Sequence, residues 1–185
     1  MGEISRLSRE QAALAVIDMQ EAFRPVIPDF GQVAVQIGKA IQGAQLLEIP
    51  IIVTEQYPRG LRHTASEALR HLSENDRVIE KICFSAYQAE GFRSTLIAKN
   101  IKQVIICGIE AHICVSQTVL DLLSGGFEVY MLVDCITSRH PQSKEVALSR
   151  LSKAGAIQSN LEMALFEMMG TAESPQFKAV QSLIK

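Results

Sequence analysis

Apolar runs of strand length alternate with segments of helical period along this chain. Residues 13–17 form a continuous apolar run that stops at Asp18. A second run, residues 51–53, follows Pro50, and a short third, Val78-Ile79, leads to Lys81. Residues 104–107 form a fourth, ended by Gly108, and residues 129–133 a fifth, ended by Asp134. Ala156-Ile157 is a short sixth. None of these runs alternates with polar residues, as expected of strands buried on both faces of a parallel sheet.

Helical patterns fill the gaps. Residues 33–47 and 91–98 carry apolar positions at helical spacing. From Cys114 to Leu123, residues Val115, Val119, Leu122 and Leu123 share one side, and Gly125-Gly126 stops the segment. Pro141 sits at a first-turn position and opens a helix through Leu151. A last helix is expected near Pro175. The alternation predicts a three-layer α/β doubly wound sheet of about six mainly parallel strands. The expected order is 3-2-1-4-5-6, with helices on both faces. No repeat, low-complexity segment or linker interrupts it, so residues 1–185 read as one domain.

Composition narrows the function classes. Hydrophobic residues make up 48% of the chain, enough for a sizeable core. Eighteen Lys and Arg face 20 Asp and Glu, a net charge of −2, and no basic stripe recommends a nucleic-acid partner. No apolar stretch reaches the ~18 residues of a membrane span. Residues 1–10 are polar and mixed in charge, without the apolar segment of a secretion signal, so a cytoplasmic location is expected. The four cysteines, Cys83, Cys107, Cys114 and Cys135, form no CxxC pair, so neither disulfides nor a structural zinc is signalled.

A doubly wound sheet binds ligands beyond the carboxyl ends of its strands, where the strand order reverses. In this order that point lies between the first and fourth strands. Asp18 ends the first, and Gly108-Ile109-Glu110-Ala111-His112-Ile113-Cys114 follows the fourth. A carboxylate and a thiol thus face one crevice. Cys114 follows a glycine turn and opens a helix, whose partial positive charge and free N–H groups are expected to lower the thiol pKa. The same N–H groups suit an oxyanion. Inert burial is the commoner fate of a cysteine, and it is the expectation for Cys83, Cys107 and Cys135. Asp18 also suits a turn or a cap. Lys81 alone reads as a solvated lysine. Its strand is two positions from the first, roughly 10 Å away, so contact with Asp18 is expected only if the chain bends inward.

Four segments together resemble the isochorismatase-like cysteine hydrolases, a family that includes nicotinamidases and N-carbamoyl amide hydrolases. They are Ala15-Val16-Ile17-Asp18-Met19-Gln20 with Phe23, then Lys81 with Phe84-Ser85-Ala86-Tyr87. Gly108-Ile109-Glu110-Ala111-His112-Ile113-Cys114-Val115 with Gln117-Thr118 is the third, and Val133-Asp134-Cys135-Ile136-Thr137-Ser138-Arg139 the fourth. The resemblance implies a triad: Cys114 as nucleophile, Asp18 as proton acceptor and donor, Lys81 as their electrostatic partner. It implies a cis peptide between Ile109 and Glu110, which turns the Glu110 N–H toward the site beside the Cys114 N–H. It also implies a homodimer or larger homo-oligomer, to which the apolar segment 161–169 contributes an interface or core.

Metal-dependent nicotinamidases of this family carry an Asp and several His after the second strand. Here residues 54–63 hold His63 as their single histidine, so no metal and no cofactor is expected. The walls of a small-molecule pocket are expected to include Phe23, Gln56, Tyr57, Tyr87 and His112, with plain packing the alternative for each. The reading is hydrolysis of a C–N bond through a thioester. The alternatives are a nicotinamidase-like or isochorismatase-like activity, a thiol redox or sensor protein, and a silent oligomeric relative. A nucleotide-binding domain would need a GxGxxG turn where the chain has Asp18-Met19-Gln20-Glu21.

Overall fold

The computed structural model describes residues 6–185, so the first five residues of the polar N-terminal stretch lie outside the described residues. Among the described residues six strands form one sheet in the order β3-β2-β1-β4-β5-β6. They are β1 (Ala12–Ile17), β2 (Ile51–Gln56), β3 (Arg77–Lys81), β4 (Gln103–Gly108), β5 (Glu128–Ile136) and β6 (Ile157–Ser159). Every adjacent pair is parallel. The sheet is thus the doubly wound arrangement that the apolar runs predict.

Among the described residues eight α-helices connect and cover it: α1 (Phe30–Leu46), α2 (Pro58–Leu61), α3 (Ser66–Leu69), α4 (Phe92–Ala98), α5 (Ser116–Ser124), α6 (Pro141–Lys153), α7 (Leu161–Met169) and α8 (Phe177–Ile184). The two-residue period of the strands divides their side chains between two cores. Leu14 and Val16 of β1, Ile105 of β4 and Leu132 of β5 join α1, α7 and α8 on one face. Ala13, Ala15, Ile17, Ile106 and Met131 join α4, α5 and α6 on the other. That double burial explains why the strands read as unbroken apolar runs. The 161–169 segment supplies core: Leu161, Ala164, Leu165, Met168 and Met169 are buried. Among the described residues, no helix is long and apolar enough to cross a membrane.

Three boundaries differ from the sequence expectation, two of them because polar residues are held inside the sheet. β2 continues through Thr54, Glu55 and Gln56. β5 does not end at Asp134 but runs to Ile136, so Cys135 lies within it. The Asp134 carboxylate accepts the Leu161 N–H at 3.0 Å and so caps α7. Cys114 does not open α5. It lies in a π-helical turn, Ala111–Val115, that leads into that helix.

Gly108 fixes the junction of β1 and β4. It pairs with Ile17 and has φ +120, and a Cβ there would collide with the Ile17 carbonyl oxygen. Only glycine lets the two backbones close, so that the Ile109 N–H reaches the Ile17 oxygen at 2.8 Å. Asp18 and the Cys114 loop leave the sheet side by side at this point.

Candidate active site

β1 ends at Ile17, and Asp18 turns sharply out of the sheet with φ 49. Aspartate tolerates this left-handed conformation better than most residues. β2 holds it there: the Asp18 N–H donates to the Thr54 carbonyl at 3.1 Å, and Thr54 Oγ1 donates to Asp18 Oδ1 at 2.7 Å. Asp18 is 1% exposed.

Lys81 closes β3 in register with Gln56 of β2. No inward bend of the strand brings it to Asp18. Its own four-carbon stem crosses the end of β2, and Nζ lies 2.6 Å from Asp18 Oδ2. Nζ donates to Gln56 Oε1 at 2.8 Å, the Cys83 carbonyl at 3.1 Å and the Phe84 carbonyl at 2.9 Å. Those three acceptors match the three N–H bonds of an ammonium group. The approach to Asp18 is therefore ionic and not directional. Asp18 Oδ2 has no hydrogen-bond donor although it is buried.

The thiol of Cys114 meets this pair. Burial pushes the thiol up to about 12, the negative charge of Asp18 adds to the rise, and the Lys81 ammonium opposes it. The expected drop in pKa does not occur. Desolvation of a side chain that is 7% exposed, next to a carboxylate, outweighs the helix terminus. Cys114 therefore rests as a thiol, and Cys107 and Cys135 are likewise raised by burial. Thr118 Oγ1 donates to the Cys114 carbonyl at 2.7 Å and accepts the Ala86 N–H at 2.8 Å, tying the cysteine turn to the segment after β3.

The Ile109–Glu110 peptide is cis. Glu110 is 4% exposed, and its N–H finds no protein acceptor among the described residues. Its carboxylate turns to Arg139, accepting the backbone N–H at 3.1 Å and Nε at 3.0 Å.

A buried carboxylate, ammonium and thiol at the reversal point of a 3-2-1-4-5-6 sheet are the setting in which the family comparison becomes decisive. The isochorismatase-domain family model matches residues 12–163. The chain belongs to the isochorismatase-domain family. Isochorismatase domain-containing protein 1 of Salmo salar is 39% identical over 91% of this chain, which spans 59% of that relative's length. Isochorismatase domain-containing protein 2 of Homo sapiens is 38% identical, over 98% of this chain and 87% of its own. A solved structure, the MAR1 ribonuclease of Caenorhabditis elegans, superposes with a TM-score of 0.93 at 38% identity. The match covers 97% of this chain and 92% of that one.

The remaining expected wall residues of this isochorismatase domain separate in space. Gln56 is not a free wall group: its Oε1 holds Lys81 Nζ and its Nε2 donates to the Ile82 carbonyl at 2.7 Å. Tyr87 is directed away from Asp18, Lys81 and Cys114. Its ring meets Phe127 edge to face at 6.2 Å, and its hydroxyl lies against Gly125, beyond the far end of α5. Tyr57, half exposed, lines a groove of about 400 Å³ with Pro58, Arg59, Glu80, Lys81 and Ile82. Phe23 packs against the α1-side core. His112 Nδ1 lies 3.1 Å from Ser138 Oγ, two residues before Cys114 in the chain. His63 pairs with Glu55 Oε2 at 3.0 Å, while Glu55 Oε1 accepts from the Thr64 N–H and hydroxyl, each at 2.7 Å. The histidine and carboxylate of this segment are thus committed to each other.

Sequence reasoning gave no role to Thr54, Gln20 or Thr118. Gln20 is fully buried and clamps the chain after β2, donating to the carbonyls of Gln56 and Arg62 and accepting the Gln56 N–H. The signal for Thr54 was a hydroxyl at the carboxyl end of a strand whose other early residues are all apolar.

Proposed function

We propose that this isochorismatase domain is a metal-independent cysteine hydrolase that cleaves an amide-type C–N bond of a small molecule through a thioester. The observation that carries the reading is Asp18 Oδ2, a buried carboxylate oxygen without a donor, held beside Lys81 Nζ and felt by the Cys114 thiol. Such an oxygen, beside the ammonium and near the thiol, is placed to accept the thiol's proton.

In this mechanism Asp18 takes the Cys114 proton as the sulfur attacks the substrate carbonyl. Lys81 balances the anionic charge and keeps Asp18 in place. The tetrahedral oxyanion is received by the N–H groups of Glu110 and Cys114. Asp18 returns its proton to the nitrogen as the C–N bond breaks, leaving a thioester and a free amine or ammonia. Asp18 then removes a proton from water, the hydroxide displaces the thiolate, and the proton returns to sulfur with release of the carboxylic acid. The thiol is active only when this transfer is coupled to attack, which suits a resting pKa near 12.

A phosphodiester substrate fits less well. The chain carries a net charge of −2, and the cation at the site's centre is already paired with Asp18. The test is turnover of a panel of small amides by the wild-type protein and by Cys114→Ala and Cys114→Ser. Both variants are expected to fold and to lose turnover, and retained activity in either contradicts the reading.

A further inference from the structure

Two buried side-chain atoms of the described residues have no hydrogen-bond partner in the protein, Asp18 Oδ2 and Ser85 Oγ. The mechanism uses the first. Ser85 is 2% exposed and stands at the start of the 3-10 turn Ala86–Gln88. A serine in that position ordinarily turns its hydroxyl onto an N–H of the following turn, yet Ser85 makes no such bond.

The neighbours of Ser85 are fixed on both sides. The Phe84 carbonyl accepts from Lys81 Nζ, and the Ala86 N–H donates to Thr118, whose hydroxyl holds the Cys114 carbonyl. Ser85 thus sits between the backbone that grips the lysine and the backbone that grips the cysteine. Burying a hydroxyl without a partner is costly, and functional sites are where such groups persist.

We propose that Ser85 Oγ accepts an N–H of a carboxamide substrate, so that the site favours carboxamides bearing at least one N–H over the matching esters. This rests on the hydrolase reading above and names the substrate class for the same site. Asp18 Oδ2 serves the proton of the thiol, and Ser85 Oγ serves the nitrogen of the amide.

The experiment compares alkylation of Cys114 by iodoacetamide and by methyl iodoacetate, which lacks the N–H. Adducts are located by peptide mass spectrometry, and each rate is divided by that of a free small thiol. The ratio of the two rates is the readout, because a general loosening of the site moves both rates and cancels. The wild-type protein is expected to prefer iodoacetamide, and Ser85→Ala to lose about fivefold of that preference, the worth of one neutral hydrogen bond. An unchanged ratio in Ser85→Ala, with Cys114 still labelled, overturns the role of Ser85 alone. Failure of both reagents to label wild-type Cys114 overturns the hydrolase reading, and this inference with it.

Discussion

Lys81 Nζ lies 2.6 Å from Asp18 Oδ2, and the two side chains are 0% and 2% exposed. Neither charge has water to fall back on. Lys81→Met is therefore expected to leave an unpaired buried carboxylate and to destabilise the fold by about 3–5 kcal/mol in urea unfolding. The double variant Asp18→Asn with Lys81→Met removes both charges and should recover much of that loss. A single variant within about 1 kcal/mol of wild type, the range of exposed ion pairs, would show that the pair is solvated.

The resting state of Cys114 is read out by alkylation against pH. Burial and the Asp18 charge push its thiol up to about 12. The iodoacetamide rate should rise with pH and show no plateau below about pH 10, since only the thiolate reacts. A plateau near neutral pH would mean a preformed thiolate, the state that a helix terminus alone would favour.

His63 adds a pH-dependent term to stability. Its pKa is raised by the hydrogen bond to Glu55 and by that carboxylate's charge, and its side chain is 75% exposed. A folded pKa above the unfolded one gives stabilisation that is complete below about pH 6.5 and lost as pH climbs through the folded value. The melting-temperature gap between wild type and His63→Ala should be wider at about pH 5.5 than at about pH 8.5. A gap that widens toward alkaline pH would reverse the assignment.

Tyr87 separates packing from chemistry. Its hydroxyl faces Gly125 and its ring packs on Phe127, so Tyr87→Phe should leave the Cys114 alkylation rate unchanged. A several-fold change would place the phenol within reach of the thiol.

The sheet order and the juxtaposition of Asp18 with the Cys114 loop were legible in the sequence because buried parallel strands leave unbroken apolar runs. Lys81 was legible only through the family resemblance. Its contact with Asp18 depends on a side chain crossing β2, which no local pattern encodes. The carboxyl end of β2 was missed for a related reason. Thr54, Glu55 and Gln56 look like loop residues, yet each is kept in the strand by a partner: Asp18, His63 with Thr64, and Lys81. Tyr87 was assigned to a pocket by its place in a motif, and the helical turn carrying it points the other way. The acidity of Cys114 was misjudged because a helix terminus is visible in sequence, whereas burial beside an aspartate is a tertiary fact.

A covalent acyl intermediate on Cys114 is the step that sets thioester hydrolysis apart from direct attack by water. Intact-mass and peptide mass spectrometry of the protein quenched in acid during reaction with small amides would detect it directly. An acyl adduct on the Cys114 sulfur is expected in wild type, and no thioester adduct in Cys114→Ser or Cys114→Ala. Amide turnover that proceeds with the Cys114 thiol unmodified, or that persists in Cys114→Ala, would contradict it.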